Sequence, residues 1–123
     1  MHMPSVLVVD DEEPVRAVVS RLLAHDGYRV STAGSGREAI QKLRTDRFDV
    51  LLLDLRLPEE SELDTMTEIR GCDPDLPIIV MSGELGLEDG SSASGVEHRG
   101  ARACLAKPFS FEELREAVSK ALA

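Results

Sequence analysis

Short apolar runs alternate with amphipathic stretches along the whole chain. Continuous apolar runs at Val6–Val9, Val50–Leu53 and Ile78–Met81 are typical of strands buried on both faces. The stretch Tyr28–Thr32 alternates apolar with polar residues, which predicts a half-exposed strand at an edge of the sheet. A weaker run at Ala103–Ala106 completes five predicted strands.

Helical signals lie between these strands. Pro14 marks the start of a first helix, and Ser35 with Glu38 and Ser110 with Glu113 form capping-box patterns before two others. The apolar residues at helical spacing are Val15, Val18, Val19, Leu22 and Leu23, then Ala39, Ile40 and Leu43, then Leu63, Met66 and Ile69, and finally Phe111, Leu114, Val118, Ala121 and Leu122.

This alternation predicts an α/β fold with a parallel sheet in strand order 2-1-3-4-5. The 123 residues are enough for one domain, 1–123, in which residues 1–4 are expected to be a leader that includes a cloning remnant. Gly83–Gly100 contains five glycines. Because glycine costs roughly 1 kcal/mol per site in a helix, the fourth of five helical stretches is expected to be short or frayed.

Composition excludes several function classes. The net charge of −9 argues against a broad basic face for nucleic acid or anionic lipid. No apolar run is long enough to span a bilayer and no signal peptide opens the chain, so a cytoplasmic location is expected. Cys72 and Cys104 are far apart in sequence and are expected to be free thiols.

Polar residues follow four of the five predicted strands: Asp10 with Asp11, Asp54, Ser82 and Lys107. The carboxyl ends of parallel strands meet at one edge, where ligands bind. Three carboxylates there would suit Mg²⁺, because two carboxylates 4 Å apart repel by roughly 4 kcal/mol at an effective dielectric constant near 20. Singly, each residue has a simpler interpretation as a helix cap, a turn residue or a surface lysine. Together they suggest phosphoryl transfer to Asp54.

The chain resembles the receiver domain of bacterial two-component response regulators. The strings that carry the resemblance are VLVVDDEEPVR, LLLDLRLP, IIVMSG and LAKPF, in the order and near the spacing of that family. The resemblance implies a flavodoxin-like (βα)5 sandwich that acts as a phosphoacceptor switch. It would catalyse only its own phosphorylation and dephosphorylation.

The resemblance also implies a role for each site residue. Asp54 matches the phosphoacceptor and a ligand of Mg²⁺ (or Mn²⁺). Asp11 matches a direct metal ligand, Asp10 a ligand acting through water, and Arg56 a ligand through its backbone carbonyl. Ser82 matches the hydroxyl that moves toward the phosphoryl group.

Further implications concern the last strand and the partner. Lys107 matches the lysine that pairs with a phosphoryl oxygen, and the bond before Pro108 is expected to be cis. The implied phosphodonor is a histidine kinase or a phosphotransfer protein. Cys104 replaces the usual aromatic switch residue and Glu62 the usual glycine, so dimerisation and the usual output face are not assumed.

Three alternatives stay open at this point. A receiver fold that only mediates interactions, without phosphorylation, is compatible with Cys104 and Glu62. An aspartyl phosphatase usually has an acid two residues after its nucleophile, where this chain has Arg56. A flavin-binding protein would need a glycine-rich loop where this chain has Asp-Asp-Glu-Glu, which repels phosphate.

Overall fold

A parallel sheet of five strands forms the centre of the part of the chain that the structure describes. A computed structural model describes residues 3–54, 62–82 and 101–123. Its strands are β1 (Ser5–Val9), β2 (Arg29–Ala33), β3 (Val50–Asp54), β4 (Ile78–Ser82) and β5 (Ala103–Ala106), and its helices are α1 (Glu13–His25), α2 (Gly36–Thr45), α3 (Glu62–Cys72) and α4 (Phe111–Leu122). The strand order is β2-β1-β3-β4-β5, as predicted. The helical stretch expected within residues 83–100 lies outside the described residues.

Helices cover both faces of the sheet, and strand periodicity decides which side chain meets which layer. In β3, Val50 and Leu52 pack with α1 and α4, whereas Leu51 and Leu53 pack with α2 and α3. β1, β3 and β4 contribute almost completely buried apolar residues to these two cores, which explains their continuous apolar runs. β2 lies at the edge and is only half-buried, as its alternating pattern predicted.

One capping box forms as predicted and the other does not. At α4, the Ser110 hydroxyl accepts from the Glu113 N–H and the Glu113 carboxylate accepts from the Ser110 N–H. At α2, the Ser35 hydroxyl accepts from the Glu38 N–H, but the Glu38 carboxylate accepts from the Gly34 N–H instead, at 3.0 Å. The Glu38 side chain therefore reaches one residue beyond the cap and holds the loop between β2 and α2.

Two apolar residues predicted on buried helix faces are exposed instead. Val18 in α1 keeps 57% of its surface in solvent and Phe111 in α4 keeps 40%. Their neighbours Val19 and Leu114 are buried in the core between these helices and the sheet. The set of apolar residues at helical spacing is therefore wider than the face that α1 or α4 buries.

This difference predicts unequal effects of truncation within α4. Leu114, which is 1% exposed, lies in a closed core, so Leu114→Ala should lower the free energy of unfolding by about 2–5 kcal/mol through lost burial and the cavity left behind. Phe111→Ala should cost at most about 1 kcal/mol, mostly through its contact with the Arg115 guanidinium, 4.9 Å above the ring. Urea unfolding of both variants measures the difference. Equal losses would contradict the assigned burial.

Candidate functional site

Strand register brings the predicted polar residues to one edge of the sheet. Val9 pairs with Leu53 across β1 and β3, so Asp10 and Asp54, the residues that follow them, lie side by side. Asp54 pairs with Met81, which places Ser82 one residue further along β4. All of these lie at the carboxyl ends of their strands, where open parallel sheets bind ligands.

Lys107 connects the carboxylates of this edge. It follows β5, and its ammonium nitrogen lies 2.7 Å from Asp10 Oδ2, 3.7 Å from Asp54 Oδ2 and 3.9 Å from Glu12 Oε1. Burial of the ammonium works against its charge, but the hydrogen bond to Asp10 and the negative charges of Asp54, Asp10 and Glu12 together raise the pKa of Lys107. The side chain is therefore a fixed cation at physiological pH.

Asp10 is fully buried, and each of its polar atoms has a partner. Oδ2 accepts from Lys107, and Oδ1 accepts from the Glu12 N–H at 2.9 Å. Its backbone N–H donates to the Ala33 carbonyl at 3.1 Å, and its carbonyl accepts from Arg16 Nη1 at 2.6 Å. A directly bound metal would have to share an oxygen that already accepts one of these hydrogen bonds, which is compatible with the expected indirect role of Asp10.

Asp11 differs from Asp10 because its side chain is exposed. Carboxylate oxygens of Asp10, Asp11 and Asp54 all lie within 4.8 Å of one another. Hard oxygen donors at this spacing are what Mg²⁺ prefers, so the donor set fits the predicted cation. The remaining predicted ligand, the Arg56 carbonyl, lies outside the described residues.

Ser82 contacts the chain just after β5, at the Lys107 backbone. Ser82 ends β4 and is buried, and its carbonyl accepts from the Lys107 N–H at 2.7 Å. The bond between Lys107 and Pro108 is cis, as predicted. The backbone hydrogen bond to β4 therefore fixes the position of the Lys107 backbone, from which its side chain extends.

An apolar groove of about 480 Å³ opens beside Lys107, between the start of α1 and the segment that joins β5 to α4. The exposed Val18 forms part of its wall. The lining residues are Pro14, Val15, Val18, Val19, Lys107, Pro108 and Phe109.

Two residues that touch the site were absent from the sequence prediction. The Glu12 N–H supports the buried Asp10 carboxylate, and the Arg16 guanidinium holds the Asp10 carbonyl. Glu12 precedes α1 and Arg16 lies near its start, where only Pro14 and the apolar positions entered the prediction. No local sequence signal pointed to Arg16, because its partner is a backbone carbonyl six residues earlier.

The family model of the response regulator receiver domain matches residues 6–119. The chain belongs to this family. The probable transcriptional regulatory protein TcrX of Mycobacterium tuberculosis is 38% identical over 113 residues, which cover 89% of this chain and 46% of TcrX. The transcriptional regulatory protein ZraR of Escherichia coli K12 is 35% identical over 118 residues, 96% of this chain and 26% of ZraR. The receiver chain thus spans less than half the length of these curated relatives.

Solved structures share the fold of this receiver domain. The chemotaxis response regulator CheY4 of Vibrio cholerae superimposes with a TM-score of 0.89 at 32% identity, covering 98% of this chain and all of that chain. Receiver domains are signalling modules of two-component systems, and their acidic pocket generally binds Mg²⁺.

Within the described residues neither Cys72 nor Cys104 forms a disulfide, as expected. Among the helices of residues 3–54, 62–82 and 101–123, none is long and apolar enough to cross a membrane.

Proposed function

We propose that the chain is a phosphoacceptor switch that receives a phosphoryl group on Asp54. A carboxylate oxygen of Asp54 attacks phosphorus, an aspartyl O–P bond forms, and the P–N bond of the donor phosphohistidine breaks. The leaving imidazole nitrogen keeps the electron pair and takes up a proton. The reaction is confined to the chain's own phosphorylation and dephosphorylation, because the aspartyl phosphate stays on the protein until water attacks it.

The surrounding residues supply positioning and charge for this transfer, as phosphoryl transfer requires. Lys107, already 3.7 Å from Asp54, would pair with a phosphoryl oxygen. Ser82, at the end of the neighbouring strand, would bind another. Asp11 and Asp54 would hold Mg²⁺ (or Mn²⁺) directly and Asp10 through water, with the Arg56 carbonyl as a further ligand. The bound cation would neutralise charge on the transferred group.

One observation supports this proposal most strongly: the carboxylates of Asp10, Asp11 and Asp54 cluster at the carboxyl edge of the sheet, and Lys107 pairs with Asp10 and Asp54 there. The test is incubation with acetyl phosphate, followed by intact mass, with Mg²⁺ and with a chelator. We expect a gain of one phosphoryl group only with Mg²⁺. Hydroxylamine should remove it, because an acyl phosphate reacts with this nucleophile and a phosphoserine does not. No gain with Mg²⁺, or a gain that resists hydroxylamine, would refute the proposal.

A second candidate is a receiver fold that mediates interactions without phosphorylation. Cys104 favours it, because this small, partly buried residue packs against the core under α2 and α3 where the family usually has an aromatic switch residue. An unmodified mass under all the conditions above would favour this candidate.

The proposed donor is a phosphohistidine on a histidine kinase or phosphotransfer protein. We propose a cytoplasmic location, because the phosphohistidine of such donors faces the cytoplasm in two-component systems, and a single receiver domain over residues 1–123. The apolar groove beside Lys107 gives the donor protein a surface from which its phosphohistidine could reach Asp54.

This arrangement predicts that Val18→Asp reduces phosphotransfer from the donor protein. Val18 is exposed, so the added carboxylate should leave the fold intact while placing a solvated charge in the contact. We expect a loss of about tenfold, corresponding to about 1.4 kcal/mol, with an unchanged rate from acetyl phosphate. Ala24→Asp, an exposed position later in α1, adds the same charge and should transfer normally. Equal rates for both variants would place the docking surface elsewhere.

A further inference from the structure

We infer that Arg16 is a positioning residue for the carboxylates of the site. The inference rests on the proposed Mg²⁺ site and adds to it a residue outside the acidic cluster. Arg16 lies in α1 and is half-buried, and its Nη1 donates to the Asp10 carbonyl at 2.6 Å. Because its guanidinium bonds the backbone carbonyl of Asp10, its effect on the site passes through the Asp10 backbone.

The contact acts on a peptide group that both aspartates share. The Asp10 carbonyl and the Asp11 N–H belong to the same planar unit. Arg16 fixes one end of this plane, and the hydrogen bond from the Asp10 N–H to the Ala33 carbonyl fixes the peptide before it. The hydrogen bond from the Glu12 N–H to Asp10 Oδ1 holds the peptide that follows Asp11 as well, so the direction of the Asp11 Cα–Cβ bond is set and only its side-chain torsions remain free. Hydrogen bonds of the Asp10 backbone thus help to set the direction in which the exposed Asp11 side chain leaves the main chain.

Gly34 provides the space in which the guanidinium lies. A Cβ atom added to Gly34 would be 3.3 Å from Arg16 Nη1 and 3.8 Å from Arg16 Cζ. The Gly34 N–H is held by the Glu38 carboxylate, whose Oε1 would lie 3.8 Å from the same Cβ. The loop before α2 therefore lies against the Arg16 guanidinium, and the hydrogen bond from the Gly34 N–H to Glu38 holds this loop in place.

Arg16 could act on the site as a positive charge or as an orienting contact, and the two roles predict opposite changes in Mg²⁺ affinity when Arg16 is replaced. A cation near three carboxylates repels Mg²⁺, so removal of the charge alone would tighten Mg²⁺ binding. Loss of an orienting contact instead weakens binding, because the ligands must be ordered when the metal arrives. The sign of the change therefore separates the two roles.

The experiment compares Arg16→Met with Arg102→Met by titration calorimetry with Mg²⁺. Arg102 is a matched control, because its Nη1 also donates to a backbone carbonyl, that of Ala121 at 3.0 Å, and its loss changes the net charge equally. We expect the Kd for Mg²⁺ to rise roughly tenfold in Arg16→Met and to stay unchanged in Arg102→Met. At saturating Mg²⁺, phosphorylation of Arg16→Met by acetyl phosphate should return to the parent rate.

A second variant covers the case in which Arg16→Met fails to fold. Gly34→Ala keeps the guanidinium but displaces it, and should raise the Kd for Mg²⁺ in the same direction. Unchanged or tighter Mg²⁺ binding in a folded Arg16→Met, or a phosphorylation rate that stays low at saturating Mg²⁺, would overturn the inference. Failure of the parent protein to bind Mg²⁺ would instead refute the proposed function itself.

Discussion

Asp54→Asn should abolish the Mg²⁺-dependent gain of a phosphoryl group. The amide has nearly the same shape as the carboxylate, so the buried position at the end of β3 can accept it. An amide oxygen is a poor nucleophile, however, because it lacks the negative charge with which the carboxylate attacks phosphorus. Intact mass after acetyl phosphate treatment should therefore show only unmodified protein.

A matched control separates loss of the nucleophile from a general effect of the substitution. Asp75→Asn makes the same chemical change at an exposed residue before β4 and should be phosphorylated like the parent. Asp54→Asn should also bind Mg²⁺ more weakly, since one of three clustered carboxylates is gone. A phosphoryl group on Asp54→Asn that hydroxylamine removes would show that another carboxylate, such as Asp11, accepts it.

Much of the fold and the core of the site could be predicted because each depends on a strong local signal. The uninterrupted apolar runs of β1, β3 and β4 reflect burial on both faces, and the alternation in β2 reflects its place at the edge. Parallel strands carry whatever follows them to one edge, so Asp10, Asp54 and Lys107 could be placed together without coordinates.

Features that depend on contacts between elements could not be predicted in this way. Helical spacing places Val18 and Phe111 with their buried neighbours, but how far a helix turns toward the sheet is decided by packing, and both residues remain exposed. Arg16 reaches the Asp10 carbonyl past Gly34, on a different loop, where an added Cβ would crowd its guanidinium at 3.3 Å. Nothing in the local sequence around Arg16 records that space.

Lys107→Met should slow phosphorylation by acetyl phosphate by roughly 10²–10³-fold, the usual effect of removing one preorganised donor to a developing charge. The ammonium lies between Asp10 and Asp54, where a phosphoryl oxygen would arrive, and methionine keeps much of its length without its charge. Lys120→Met, in the last turn of α4, loses the same charge far from the site and should react at the parent rate. Similar rates for all three proteins would remove Lys107 from the reaction.

The same variant should be less stable without Mg²⁺, and the pH dependence of the difference has a definite sign. Asp10 is fully buried, so losing Lys107 leaves a buried carboxylate without its cation, at a cost of about 3–5 kcal/mol near neutral pH. Folding raises the pKa of Lys107, so the lysine's contribution is complete below its unfolded pKa of about 10.5 and is lost as pH rises through the higher folded value. Urea unfolding of parent and variant should therefore differ most at neutral pH and converge at strongly alkaline pH. A gap that stayed constant through this range would mean that the lysine stabilises the fold through its alkyl chain and not through its charge.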